Sequence, residues 1–176
     1  MRFAALLLIA QIAFGADNPA PDIHNFIKVN DHIYRGAEPS AVGVQELGAM
    51  GVKIVLDLRE AGTGAEAEQR EVEKLHIKYI NLPMKPFSAP TKAEMERALS
   101  ILINGGSDSV FVHCRRGKDR TGTVIACYRI QHDGWTNIHA LEEAKSHGMS
   151  FTERGMRAYI LHFKPFTQFS VLAAGR

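Results

Sequence analysis

The residues best suited to do chemistry lie in one stretch, Val110-Phe-Val-His-Cys-Arg-Arg-Gly-Lys-Asp-Arg-Thr-Gly122. An apolar run ends at His113, a mostly apolar helical run starts at Thr121, and the seven residues Cys114 to Arg120 turn between them. In an α/β sheet, ligands bind outside the carboxyl ends of the strands. A loop there that feeds a helix can converge its backbone N–H groups on an anion, and the helix dipole adds positive potential. Cys114 enters that loop. A thiol beside a helix N-terminus and several cationic side chains ionises readily, and the thiolate is a strong nucleophile. Arg120 can hold two phosphate oxygens in its planar fork and offset charge as a P–O bond breaks. Gly117 permits the tight turn that aims the N–H groups inward, and Arg115, Arg116 and Lys118 are further phosphate-binding candidates. Thr121 is placed to hydrogen-bond the Cys114 sulfur and stabilise it as a leaving group. Gly122 lets the helix start pack close to the strand, and His113 is expected to orient the loop.

These residues also carry a resemblance. The pattern His-Cys-x-x-Gly-x-x-Arg-Thr over residues 113–121 resembles the signature of cysteine-based protein tyrosine and dual-specificity phosphatases. Its Gly117-Lys-Asp-Arg-Thr-Gly122 form is similar to that of atypical dual-specificity and inositide phosphatases. Tyr34-Arg-Gly-Ala-Glu-Pro-Ser40 and Gly51-Val-Lys-Ile-Val-Leu-Asp-Leu-Arg59 look like the N-terminal half of the compact bacterial, plant and fungal members. The likeness covers most of residues 26–163. It implies a phosphocysteine intermediate on Cys114, no metal or other cofactor, and Cys114 with Arg120 as the indispensable pair.

One part of the pattern is missing. Many relatives carry a general-acid Asp on a separate loop, where it protonates the leaving oxygen and later activates water. The counterpart here, Asn81-Leu-Pro-Met-Lys-Pro-Phe-Ser-Ala-Pro-Thr91, holds no Asp or Glu. Asp119 is the best substitute, either as the acid or simply as an ion-pair partner for a neighbouring Arg. Asp57 and Glu60 are weaker candidates. A phenolic or phosphoanhydride substrate would leave without a strong acid. Arg115, Arg116, Lys118 and Arg120 against Asp119 give the loop a net +3. That excess favours a multiply phosphorylated substrate such as an inositol phosphate, unless some of these side chains, Lys118 being the most telling, face solvent. Arg35 is a further candidate for the cleft's border. The expected function is a phosphomonoester hydrolase of the tyrosine or dual-specificity kind. The alternatives are an inositol phosphate or phosphoinositide phosphatase, a catalytically weak phosphate-binding module, and a rhodanese-type sulfurtransferase. The last typically has a shorter loop and lacks the Arg-Thr-Gly ending.

Positioning this loop requires a strand before it and helices around it. Phe26–Val29 and His32–Tyr34 flank Asn30-Asp31 as a hairpin. Ser40 caps a helix that Gly51 ends. Val52–Leu58 reads as a strand, Ala65–His76 as a helix, and Tyr79–Met84 as a strand. Thr91-Lys-Ala-Glu94 is a capping box that opens a helix to Ile103. Ser109–His113 is the strand before the loop, and helices are predicted at 120–132, 136–147 and 151–163. Strands alternating with helices predict an α/β domain, a mostly parallel sheet flanked by helices, over residues 26–176.

Composition adds bounds. The 176 residues suit one domain, and a net charge of +2 does not point to nucleic acid, so the expected partner is a phosphorylated substrate. Arg2 and the apolar run Phe3–Phe14, with small Ala13 and Gly15, read as a cleaved signal peptide over residues 1–15. That run is shorter than the ~20 residues of a membrane span. A secreted or periplasmic location follows, with residues 16–25 as an extended leader. Cys127 sits roughly 10 Å along the helix from its start at 1.5 Å per residue, too far for a disulfide to Cys114. It reads as a buried apolar residue, and Cys114 as a free thiol. The histidines outside the loop show no metal-ligand spacing. Trp135 reads as packing at a helix junction, and Glu142-Glu143 as a solvated helix face.

Overall fold

The structure, a computed structural model, describes residues 18–106 and 108–167. The segment read as a signal peptide lies outside them. The elements, in chain order, are β1 (Ile27–Lys28), β2 (Ile33–Ala37), α1 (Ala41–Ala49), β3 (Ile54–Asp57), α2 (Thr63–Lys74), β4 (Lys78–Asn81), α3 (Lys92–Asn104), β5 (Val110–Cys114), α4 (Asp119–Gln131), α5 (Asn137–Ser146) and α6 (Arg154–His162). The sheet order is β1-β2-β5-β3-β4, with only the β1–β2 pair antiparallel. The mostly parallel α/β sheet expected from the alternation is therefore present.

Local chemistry sets the boundaries. Ser40 Oγ accepts from the Gly43 N–H at 3.1 Å and starts α1. Gly51, at φ +78, stops it, with the Gly51 and Val52 N–H groups returning to the Gly48 and Leu47 carbonyls as in a Schellman motif. The capping box between Thr91 and Glu94 forms and opens α3. Asn30 turns the hairpin by accepting from the His32 and Ile33 N–H groups through its side chain.

β5 lies at the centre of the sheet, and all its residues are buried. Alternation along the strand sends successive side chains to opposite faces. Val110, Val112 and Cys114 join the larger core cluster with Leu56, Val124, Ile125 and Leu99. Phe111 joins the smaller one, with Val44, Leu47, Val55 and Val72. The leader differs from its expected extended form. Residues 21–25 form turns and a bend, and Ala20 and Ile23 are buried in the smaller cluster. Ile23 fills the space left by the missing side chains of Gly36 and Gly43. Among the described residues the packing thus extends back from Phe26 to Ala20.

Phe111 is fully enclosed and stacks on His113 at 5.3 Å between centroids. Phe111→Ala is expected to destabilise the fold by about 3–5 kcal/mol. In urea the midpoint should fall with the slope unchanged; a shift under about 1 kcal/mol would mean that the smaller cluster closes over the void.

Candidate active site

Adjacent residues on β5 serve the two faces of the sheet. The register sets Ala37 beside Cys114 and Gly36 beside His113 on β2, with Asp57 beside His113 on β3. Cys114 therefore faces the α4 side, and His113 faces α2.

On the α4 side the loop folds as a cradle. Gly117 has φ +66, and a Cβ there would overlap the backbone of Gly36 and Ala37. This is a stricter demand than the turn alone, because β2 itself presses on the loop. Arg35, which sequence placed only at the cleft's border, is buried beneath it and donates from Nη2 to the Gly117 carbonyl at 2.9 Å. Burial pulls its guanidinium down to about 10, with Arg129 adding to the effect and Glu143 and Cys114 opposing it. Its Nε and Nη1 have no hydrogen-bond partner among the described residues. From the leader, Asn25 Nδ2 donates to the Arg116 carbonyl at 2.9 Å.

Cys114 and Arg120 line one cavity of about 730 Å3 with Arg115, Arg116 and Asp119. That volume lies within the ~300–1,000 Å3 of small-molecule sites. Arg120 Nη1 donates to the carbonyls of Leu58 and Met84, each at 3.2 Å, which fixes the guanidinium at the cavity wall. Met84 belongs to the acid-free loop, so that segment does border the site, and its Phe87 lines the cavity, 77% exposed at φ +60.

Asp119 satisfies part of each reading made of it. It lines the cavity, but Oδ1 accepts from the Ser150 N–H at 2.8 Å and Oδ2 lies 3.4 Å from Arg116 Nη2. Lys118 is not among the cavity's lining residues; its alkyl chain lies against Gly148. The hydroxyl of Thr121 is buried with no hydrogen-bond partner among the described residues, so the bond to the Cys114 sulfur expected from sequence is not made here. Gly122 makes room chiefly for Met149, Ala144 and Arg35, so the close approach is to α5 and its following turn as much as to a strand. Cys127 is fully buried in the core, burial pushes its thiol up, and neither cysteine is in a disulfide.

Three acidic groups lining the cavity besides Asp119 offset the cations: Glu38, Glu60 and Glu153. Glu153 was missed in the sequence, where it sits 33 positions after the loop with no motif around it. Its side of the site is assembled only when the turn between α5 and α6 folds back onto α4.

On the α2 side, His113 Nε2 lies 2.8 Å from Glu68 Oε1, a contact short of hydrogen-bond alignment. Asp57 accepts from the Arg59 backbone N–H (2.8 Å), the Arg59 guanidinium and the Tyr79 hydroxyl (2.6 Å). Burial pushes the Asp57 carboxyl up, but these bonds and nearby His113 outweigh it and hold the group below the usual carboxylate range. Asp57 is thereby unsuited to donate a proton. Asp57, Glu68 and His113 offer three donor atoms within 4.8 Å of one another, a spacing a metal could use. The Arg59 guanidinium, 2.8 Å from Asp57 and 2.5 Å from Glu68, already supplies the cation those carboxylates need.

Comparison with known proteins follows the same lines. The family model described as a DSP-PTPase phosphatase fused to NAD+ kinase matches residues 20–159. The putative tyrosine-protein phosphatase OCA1 of Yarrowia lipolytica is 28% identical over 147 residues, covering 81% of this chain and 56% of that protein. The dual specificity protein phosphatase TpbA of Pseudomonas aeruginosa is 31% identical over 140 residues, covering 76% of this chain and 58% of that protein. The chain thus spans little more than half the length of these two relatives. Among solved structures, the core catalytic domain of the PP-IP phosphatase SIW14 from S. cerevisiae superposes with a TM-score of 0.75 at 22% identity, covering 86% of this chain and 92% of that one.

Gly117→Ala tests the cradle. Loss of even one charge-assisted bond predicts roughly tenfold or more weaker binding of inorganic phosphate by calorimetry. Gly64→Ala, in α2 where an added Cβ meets nothing within 4 Å, should bind normally. Equal binding by the two variants would show that the loop does not depend on the Gly117 contact.

Proposed function

We propose that this chain, which belongs to the DSP-PTPase phosphatase family, hydrolyses phosphate monoesters through a phosphocysteine formed on Cys114. The observation that carries the proposal is the placement of Cys114 and Arg120 on one cavity at the carboxyl end of the central strand. The Cys114 thiolate attacks phosphorus from the floor of the loop. Backbone N–H groups and Arg120 hold the equatorial oxygens, whose charge is spread in the transition state. The P–O bond breaks, an alcohol or phenol leaves, and water then cleaves the S–P bond to return the thiolate and free phosphate. Arg35 keeps a fixed positive charge beneath the loop, and the contacts of His113 hold the strand end from the other face.

The preferred substrate is an aryl monoester, phosphotyrosine in chemical class. Glu38, Glu60, Asp119 and Glu153 around the cavity offset the cations that sequence alone left in excess, and Phe87 offers an exposed ring at the same cavity. A second reading, hydrolysis of an inositol phosphate, is favoured by exposed Arg115 and Arg116 and by the likeness to a PP-IP phosphatase.

Wild type in EDTA is expected to hydrolyse p-nitrophenyl phosphate and phosphotyrosine peptides, and Cys114→Ser to lose about 10⁴-fold or more of that rate. Comparable activity in Cys114→Ser would remove the phosphocysteine route. A kcat/KM for a pyrophosphorylated inositol above that for phosphotyrosine would decide for the second reading.

Export completes the proposal: residues 1–15 are removed and the remaining chain acts as one catalytic domain outside the cytoplasm. Its support is Arg2, the apolar run Phe3–Phe14 and the small residues Ala13 and Gly15. Among the described residues no helix is long and apolar enough to cross a membrane. Intact mass of the exported protein should correspond to a chain beginning at Ala16. Full-length protein held in the cytoplasm would refute export.

A further inference from the structure

The loop that carries a proton donor in many relatives has none here, and four carboxyl groups line the cavity in its stead. Three of them are poorly suited to the task. Glu38 is exposed and paired with Arg59 at 2.8 Å. Glu60 is exposed to solvent, so nothing holds its proton near the reacting atoms. Asp119 has both oxygens engaged, by the Ser150 N–H and by Arg116. Glu153 is different. It is 4% exposed, and no hydrogen bond reaches its carboxyl among the described residues. Its backbone is fixed as the N-cap of α6, with its carbonyl accepting from the Arg157 N–H at 3.0 Å. A carboxyl on so enclosed a residue, at a cavity wall and without a donor partner, is pushed toward its neutral form. Burial does lift this one above the usual carboxylate range; Asp119 adds to the lift, and Arg116 and Arg120 oppose it.

We propose that Glu153 is the proton donor to the leaving oxygen, and that its carboxylate then takes the proton from the attacking water. The inference rests on the phosphocysteine reading above. In the first step Sγ of Cys114 bonds to phosphorus and the ester P–O bond breaks. The electron pair goes to the ester oxygen, which takes the Glu153 proton and departs as ROH. In the second step water bonds to phosphorus, its proton passes to the Glu153 carboxylate, and the S–P pair returns to sulfur. The charged and titratable groups around the carboxyl are Arg116, Asp119 and Arg120 on the loop and the start of α4, with Cys114, Arg115 and Glu60 on the same cavity.

The test compares Glu153→Gln, Glu153→Asp and Asp119→Asn with wild type on p-nitrophenyl phosphate and on phenyl or alkyl phosphates. Proton donation contributes about 10²–10⁴ where the leaving group is poor. Glu153→Gln is expected to lose at least ~100-fold on the poor leaving groups and under ~10-fold on p-nitrophenyl phosphate. Its kcat should also lose the alkaline decline that wild type shows, and Glu153→Asp should recover part of the rate. Vanadate binding should be unchanged in Glu153→Gln, which reports an intact loop. Equal losses on all substrates, or leaving-group dependence in Asp119→Asn instead, would overturn the assignment. Wild type inactive on every substrate, or Cys114→Ser fully active, would overturn the phosphocysteine reading itself, which is a distinct result.

Discussion

The phosphate loop can close only because nothing projects from Gly117. Its α-carbon rests against the backbone of Gly36 and Ala37, so β2 must run beside β5 in the register that sets Gly36 against His113. That register brings Arg35 under the loop, bonded to the Gly117 carbonyl. Two of its nitrogens are buried without partners among the described residues, and each such group costs about 1–3 kcal/mol. Local stability is lost to keep a positive charge fixed beneath the nucleophile. Burial lowers the guanidinium only to about 10, so it stays charged at neutral pH. Departures of this kind from a well-satisfied core are expected where function, not stability, sets the residue.

The opposite face answers a different need. Asp57, Glu68 and Arg59 form a buried group of charges behind the strand end, with His113 packed against it. Buried ion pairs add little net stability compared with apolar packing, because desolvation offsets most of their attraction. Their geometry is what matters. The Arg59 guanidinium ties β3's end to α2, and His113 is packed between Phe111 and Glu68. Cys114 follows it directly, so the sulfur inherits a fixed direction.

Much of this was legible in the sequence, for particular reasons. Ser40, Gly51 and the Thr91–Glu94 box act through neighbours in the chain, and local signals report local structure. The loop was legible because its chemistry lies within nine consecutive residues, His113 to Thr121. What sequence missed depends on contacts between distant segments. Ile23 packs because Gly36 and Gly43 leave room for it. The contact of the Lys118 stem with Gly148 joins positions 30 apart in the chain. Arg35 lies 82 positions from the carbonyl it binds. Glu153 had no signal at all, since a solitary glutamate before a helix is an ordinary N-terminal residue.

The relation between the acid-free loop and α6 explains how the site works without an acidic side chain on that loop. A donor carried on a mobile loop must be brought in by closure at each turnover. Glu153 needs no such movement: it is buried, sits at the fixed start of α6, and already lines the cavity. Gly155, two residues on, lies against Ala89 of the acid-free loop, so the wall and the loop are in contact. The loop is then free to do something else, and Phe87 shows what. It sets a large apolar ring, 77% exposed and in a left-handed backbone conformation, at the cavity, where covering it would bury apolar surface. An aromatic leaving group seated over Cys114 would supply that cover. Moving the proton donor to the helix and an aromatic ring to the loop therefore forms one arrangement, in which the wall handles the proton and the loop recognises the group that departs.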